Sequence, residues 1–238
     1  MIQKYIHNVY GSMKLLAIFS IAILLLTDCR EKNNPSEADK TGMRYLALGD
    51  SYTIGESVKE SERWPVLFAR AMRNAGKPVR APYIIAQTGW TTGDLLLGLQ
   101  NYNPAEKYDL VSLLIGVNNQ YQGRSPAEYR EQFRTLLLRS IDYANGEASQ
   151  VFVLSTPDWG VTPYGKGSRD EIAREIDEFN AIARAECEKE HVLFIDVTPL
   201  SRHALDDPTL IAGDNLHFSG KMYQIWVDEV MQQVKSRF

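Results

Sequence analysis

Five short apolar runs alternate with longer stretches of helical spacing, and this alternation restricts the chain to one kind of fold. The runs are Tyr45–Leu48, Tyr83–Ala86, Leu110–Ile115, Val151–Leu154 and Val192–Val197. Leu110–Ile115 (LVSLLI) and Val151–Leu154 (VFVL) are apolar almost throughout instead of at every second residue. Strands of that composition are buried on both faces. Between the runs the spacing predicts helices over Trp64–Ala75, Thr92–Leu99, Pro126–Tyr143 and Arg169–His191. A last helix follows Ser219, a good N-cap. Its stripe is Tyr223, Trp226, Val227, Val230, Met231 and Val234, at helical intervals.

Strand and helix in regular alternation imply a mostly parallel sheet covered by helices on both faces. The fold class is therefore α/β: a three-layer α/β/α sandwich, flavodoxin-like, with a five-stranded mostly parallel sheet. One domain over 43–238 accommodates all of it, without internal repeats. In such sheets ligands collect at the carboxyl ends of the strands.

The N-terminal part has a different character. Leu15–Leu26 (LLAIFSIAILLL) is apolar except for Ser20 and is preceded by Lys14. That length suits a signal h-region and is short for a membrane span. Met13 is a natural start. Leu26-Thr27-Asp28-Cys29 resembles a bacterial lipobox, with Cys29 as the lipidated residue. Asp28 departs from the small, uncharged residue usual before the cysteine. The expectation is a signal peptide over 1–29, a tether over 30–42, and an exported protein anchored to the membrane through lipid on Cys29. Beyond Cys29 only Cys187 remains, so no internal disulfide can form. Cys187 falls on the apolar stripe Ile172, Ile176, Phe179, Ala183 and reads as a buried small hydrophobe. A formal net charge of −4 and the lack of a basic stripe argue against a nucleic-acid partner.

Ser51 ends the run Arg44-Tyr-Leu-Ala-Leu-Gly49-Asp50-Ser51, a strand passing straight into a polar turn. Alone it would be the turn or N-cap serine usual after a strand. A serine nucleophile needs a base held by a third group. Asp214-Asn-Leu-His217, just ahead of the last helix, offers both. His203 is the rival base, with Asp206 and Asp207 near it in sequence. Two further blocks, Gln87-Thr88-Gly89 and Gly116-Val117-Asn118-Asn119, each follow an expected strand.

Taken in order, the Ser, Gly, Asn and Asp/His blocks resemble those of the SGNH subgroup of GDSL esterases and lipases, over roughly Met43 to Phe238. The resemblance implies a serine hydrolase of carboxylic esters acting through an acyl-enzyme. Ser51 would be the nucleophile, His217 the general base and Asp214 its orienting acid. Ser51 N–H, Gly89 N–H and the Asn118 amide would form the oxyanion hole. It also implies a small-molecule, lipid or glycan ester substrate, lysophospholipid and short-chain esters among them, with carbohydrate O-deacetylation on the same site as an alternative. No cofactor is implied, and the sequence has no metal-ligand cluster of Cys and His. Asn119 stands where the family commonly has Asp, which bears on the loop holding Asn118. Asp50 reads as a tie within the nucleophile loop. Trp90, Trp159 and Tyr164 follow strands and are candidate pocket walls. A non-catalytic ligand-binding lipoprotein is the alternative of another class. It would leave Asn118, Asp214 and His217 without a role.

Overall fold

The structure, a computed structural model, describes residues 41–237. The expected signal peptide and nearly all of the tether lie outside the described residues. Among those described, strands β1 (Tyr45–Gly49), β2 (Tyr83–Ala86), β3 (Leu110–Leu114), β4 (Val151–Leu154) and β5 (Leu193–Ile195) form one sheet. Its order is β2-β1-β3-β4-β5, and every neighbouring pair is parallel. The helices are α1 (Ser51–Ile54), α2 (Trp64–Asn74), α3 (Thr92–Gly98), α4 (Val117–Tyr121), α5 (Pro126–Tyr143), α6 (Arg169–Lys189), α7 (Thr198–Ser201) and α8 (Gly220–Val234).

Successive strand side chains point to opposite faces, so β1 feeds two cores. Tyr45 and Ala47 pack with Phe68 and Met72 of α2 and with Trp226 and Val230 of α8. Leu46 and Leu48 pack with Leu95 of α3, Phe133 and Leu137 of α5, and Phe179 and Cys187 of α6. Full burial of a Leu or Phe side chain contributes roughly 1.5–3 kcal/mol. Leu137→Ala would cost about 2–5 kcal/mol, because the cavity it leaves adds to the lost transfer energy.

The strand order decides where a ligand can sit. The chain steps from β1 outward to β2, then back across β1 to β3. Helices after β1 and β3 therefore lie on opposite faces, and a crevice opens outside the carboxyl ends of these two strands. α1 follows β1 and α4 follows β3, so residues at both helix starts open onto that crevice.

Several boundaries differ from the sequence expectation. Helix α6 stops at Lys189, short of His191, whose φ of 58° is left-handed. The fifth strand shrinks from Val192–Val197 to Leu193–Ile195. Asp196 leaves the ladder to accept from the Ser155 hydroxyl, the Thr198 N–H and Arg184. The one-turn helices α1, α4 and α7 were not expected, since four or five residues are too few to show a period.

Candidate active site

Ser51 is the first residue of α1 and is 4% exposed. Asp50 caps this turn, its Oδ1 accepting from the Tyr52 N–H at 3.1 Å. The tie expected of Asp50 is thus present. Its Oδ2 is buried without a hydrogen-bond partner. Burial pushes the Asp50 carboxyl up to about 7, against backbone N–H groups that pull it down, Tyr52 foremost.

Asp214 and His217 stand on the loop ahead of α8. Asp214 Oδ1 accepts from the backbone N–H of Leu216 and of His217 at 3.0 and 2.9 Å. The left-handed Asn215, φ 63°, makes this tight turn possible. Asp214 Oδ2 then meets His217 Nδ1 at 2.5 Å. The same oxygen accepts from the Ser57 hydroxyl at 2.6 Å. Burial works to raise the Asp214 carboxyl, but hydrogen bonds from Ser57, His217 and the two backbone N–H groups hold it well below the usual carboxylate range. An ionised Asp214 accepts a hydrogen bond from Nδ1–H, which leaves Nε2 as the acceptor. The His217 ring is 8% exposed and stands edge-on to Tyr52, with centroids 5.6 Å apart.

Asn118 lies on α4, directly after β3. Gly116 starts this turn with φ 140°, and a Cβ there would come within 2.9 Å of the Tyr129 ring. Asn118 Nδ2 donates to the Trp90 carbonyl at 2.9 Å. One N–H is used in this way, which fixes the amide plane and leaves the second for a ligand. Asn119 points the other way and is fully buried. Its Oδ1 accepts from the Thr92 N–H at 2.9 Å and its Nδ2 donates to the Thr92 hydroxyl at 2.7 Å. That hydroxyl donates onward to Gln132 Oε1 at 2.5 Å. A neutral amide serves here because the Thr92 hydroxyl is already committed as a donor. Gly89 has φ 86°, is exposed, and has open space where a Cβ would be. Thr88 beside it donates to Glu56 at 2.5 Å, which joins the loop after β2 to the loop after α1.

A cavity of about 160 Å³ brings these elements together. Ser51, Tyr52, Val117, Asn118, Tyr121, Trp159, Tyr164, Leu216 and His217 line it. Ser51 and His217 share this cavity without a hydrogen bond between them; such contacts commonly tighten only around bound substrate. Asp214 sits behind His217. Gly89 is not on the wall. Trp159 and Tyr164 line the cavity as expected, whereas Trp90 contributes only its carbonyl, its ring lying against Gly98. Sequence reasoning missed Ser57, Tyr121 and Leu216. Nothing in the local sequence marks Ser57, but Leu216 lies inside the Asp214–His217 block and Tyr121 one turn after Asn118. His203 is exposed in a short 3₁₀ turn and does not line the cavity. Cys187 is fully buried, and burial pushes its thiol up to about 12. No cluster of His, Cys, Asp and Glu suited to a metal ion occurs among the described residues.

A model of the GDSL-like lipase/acylhydrolase family matches residues 47–225. No curated protein sequence matches the chain. Solved structures of similar fold include a lipase/acylhydrolase from Enterococcus faecalis, at 23% identity over 82% of this chain and 97% of that one, TM-score 0.63. TesA aligns at 18% identity over 82% and 99% of the two chains, TM-score 0.65. An acetylxylan esterase from Geobacillus stearothermophilus aligns at 19% identity over 82% and 94%, TM-score 0.64. At these identities the likeness concerns the fold.

Proposed function

The chain belongs to the GDSL-like lipase/acylhydrolase family, and from that premise we propose that it hydrolyses short-acyl carboxylic esters through an acyl-enzyme on Ser51. The observation that carries this is the pocket itself. Ser51, His217 and Asn118 line one cavity, and Asp214 holds His217 from behind.

In the first half-reaction Ser51 Oγ attacks the acyl carbon while His217 Nε2 takes its proton. Asp214 stabilises the imidazolium and keeps its orientation. The carbonyl oxygen becomes an oxyanion facing the Ser51 N–H, the Gly89 N–H and the Asn118 amide. The bond to the alcohol oxygen then breaks, and His217 protonates the leaving alkoxide. In the second half-reaction water attacks the acyl-enzyme with His217 as base, which releases the acid and restores Ser51. Only water is consumed.

The size of the cavity supports a short acyl group. At about 160 Å³ it is a small compartment beside Ser51. The test is turnover of p-nitrophenyl acetate, p-nitrophenyl butyrate and a peracetylated sugar, each by wild type and Ser51→Ala. Ser51-dependent release of acid is the expected result. Turnover that survives Ser51→Ala would contradict the reading. For location, the Leu15–Leu26 run followed by Cys29 supports export and lipid anchoring. The check is recovery in the membrane fraction that is lost on Cys29→Ser.

A further inference from the structure

Tyr121 and Tyr164 come from different parts of the fold and meet at the pocket mouth. Tyr121 ends α4, the helix that carries Asn118. Tyr164 lies in the loop after β4. Their hydroxyls are 3.2 Å apart. The Trp159 ring lies near both: its centroid is 5.6 Å from Tyr121, near-perpendicular, and 6.1 Å from Tyr164, tilted by 51°. The three rings make an arc on the wall of the cavity that holds Ser51.

The arc is anchored at its base and exposed at its tips. Trp159 Nε1 donates to Gln120 Oε1 at 2.7 Å, and Gln120 Nε2 donates to Glu175 at 2.8 Å. The Tyr164 N–H donates to the Asn215 carbonyl at 3.2 Å, inside the Asp214–His217 turn. Yet Tyr121 and Tyr164 are 55% and 59% exposed and belong to neither core.

We propose that Tyr121 and Tyr164 form the outer rim of the acyl site and set the longest acyl chain the enzyme accepts. This rests on the acyl-enzyme reading above. The two halves of an ester differ in what they must do. The acyl group stays bound through both half-reactions, whereas the alcohol must depart and water must enter. A walled compartment suits the part that stays. The cavity walled by Tyr121, Trp159 and Tyr164 is such a compartment. Removing either ring leaves Trp159 in place and opens the arc to solvent, giving a longer chain room to run outward.

The test uses p-nitrophenyl acetate, butyrate, octanoate and decanoate with wild type, Tyr121→Ala, Tyr164→Ala and the double variant. One leaving group is common to all four esters. A methylene in a fitted pocket changes kcat/KM by about 10–200-fold, so the octanoate-to-acetate ratio should rise at least about tenfold in each Ala variant, and further in the double. Tyr164→Phe keeps the ring and should keep the wild-type octanoate-to-acetate ratio. A second series of acetates with alcohols of increasing size should show unchanged ratios. An unchanged octanoate-to-acetate ratio in active variants would overturn the proposal, as would a change confined to the alcohol series. A wild type that neither turns over these esters nor is labelled at Ser51 would instead overturn the acyl-enzyme reading, and this proposal with it.

Discussion

The Ser57 hydroxyl donates to Asp214 Oδ2 at 2.6 Å across 157 positions of sequence. The same oxygen faces His217 Nδ1. Ser57 is exposed and holds φ at 63°, a left-handed conformation that costs a residue with a Cβ. Its backbone is strained at the point where its side chain reaches Asp214, the proposed orienting acid of the base.

Ser57→Gly separates these two features. Glycine adopts positive φ freely, so the melting temperature should not fall. The lost hydroxyl should lower kcat by about tenfold, equivalent to about 1.4 kcal/mol, with KM nearly constant. Thermal melts and steady-state kinetics on p-nitrophenyl acetate check both halves. Unchanged kcat would remove Ser57 from any positioning role.

Asn118→Ala should lower kcat about 10²–10³-fold with little change in KM, if its amide meets, as proposed, a charge that appears only in the transition state. Asn119→Ala should act first on stability. It leaves the buried Thr92 N–H unpaired, at a cost of about 1–3 kcal/mol. Kinetics and denaturant melts of the two variants should therefore separate. A larger kcat loss at Asn119 would mean that the two residues have been assigned the wrong way round.

Asp50→Asn tests the buried carboxyl in the nucleophile turn. Its folded value near 7 lies above the ordinary 3.8, so the folded state binds the proton more tightly. This group's contribution is fully present below about pH 4, declines as pH rises toward 7, and is lost above it. Asparagine keeps the acceptor for the Tyr52 N–H and cannot ionise. The variant should match wild type near pH 4 and exceed it at pH 8, by on the order of 2–4 kcal/mol at about 1.4 kcal/mol per pKa unit. Denaturant melts at pH 4, 6 and 8 provide the comparison. A gap that stays constant with pH would show that Asp50 is not the titrating group.

His217→Ala should abolish turnover, while His203→Ala should be nearly silent. His203 is exposed, off the cavity, and makes no hydrogen bond through its side chain. Equal losses from the two would reassign the base.

Much of this was legible before any coordinates. Continuous apolar runs such as Val151–Leu154 give buried parallel strands, and helices of the length of Pro126–Tyr143 carry enough turns to show their period. The Asp214–His217 block was legible too, because its two side chains meet within one short turn. Ser57 was not: its role depends on a contact between distant loops that no local pattern encodes. Tyr121 was hidden in a helix of one turn. For Asn119 the sequence signalled only a departure from the usual Asp. Its bond to Thr92 depends on how α3 and α4 are set against each other.

Ser51 as nucleophile is tested most directly by intact-mass and peptide mapping after reaction with a fluorophosphonate. One adduct on Ser51 is expected in wild type, none in Ser51→Ala, and strongly slowed labelling in His217→Ala. An adduct on another residue, or labelling of Ser51→Ala at the wild-type rate, would contradict the account.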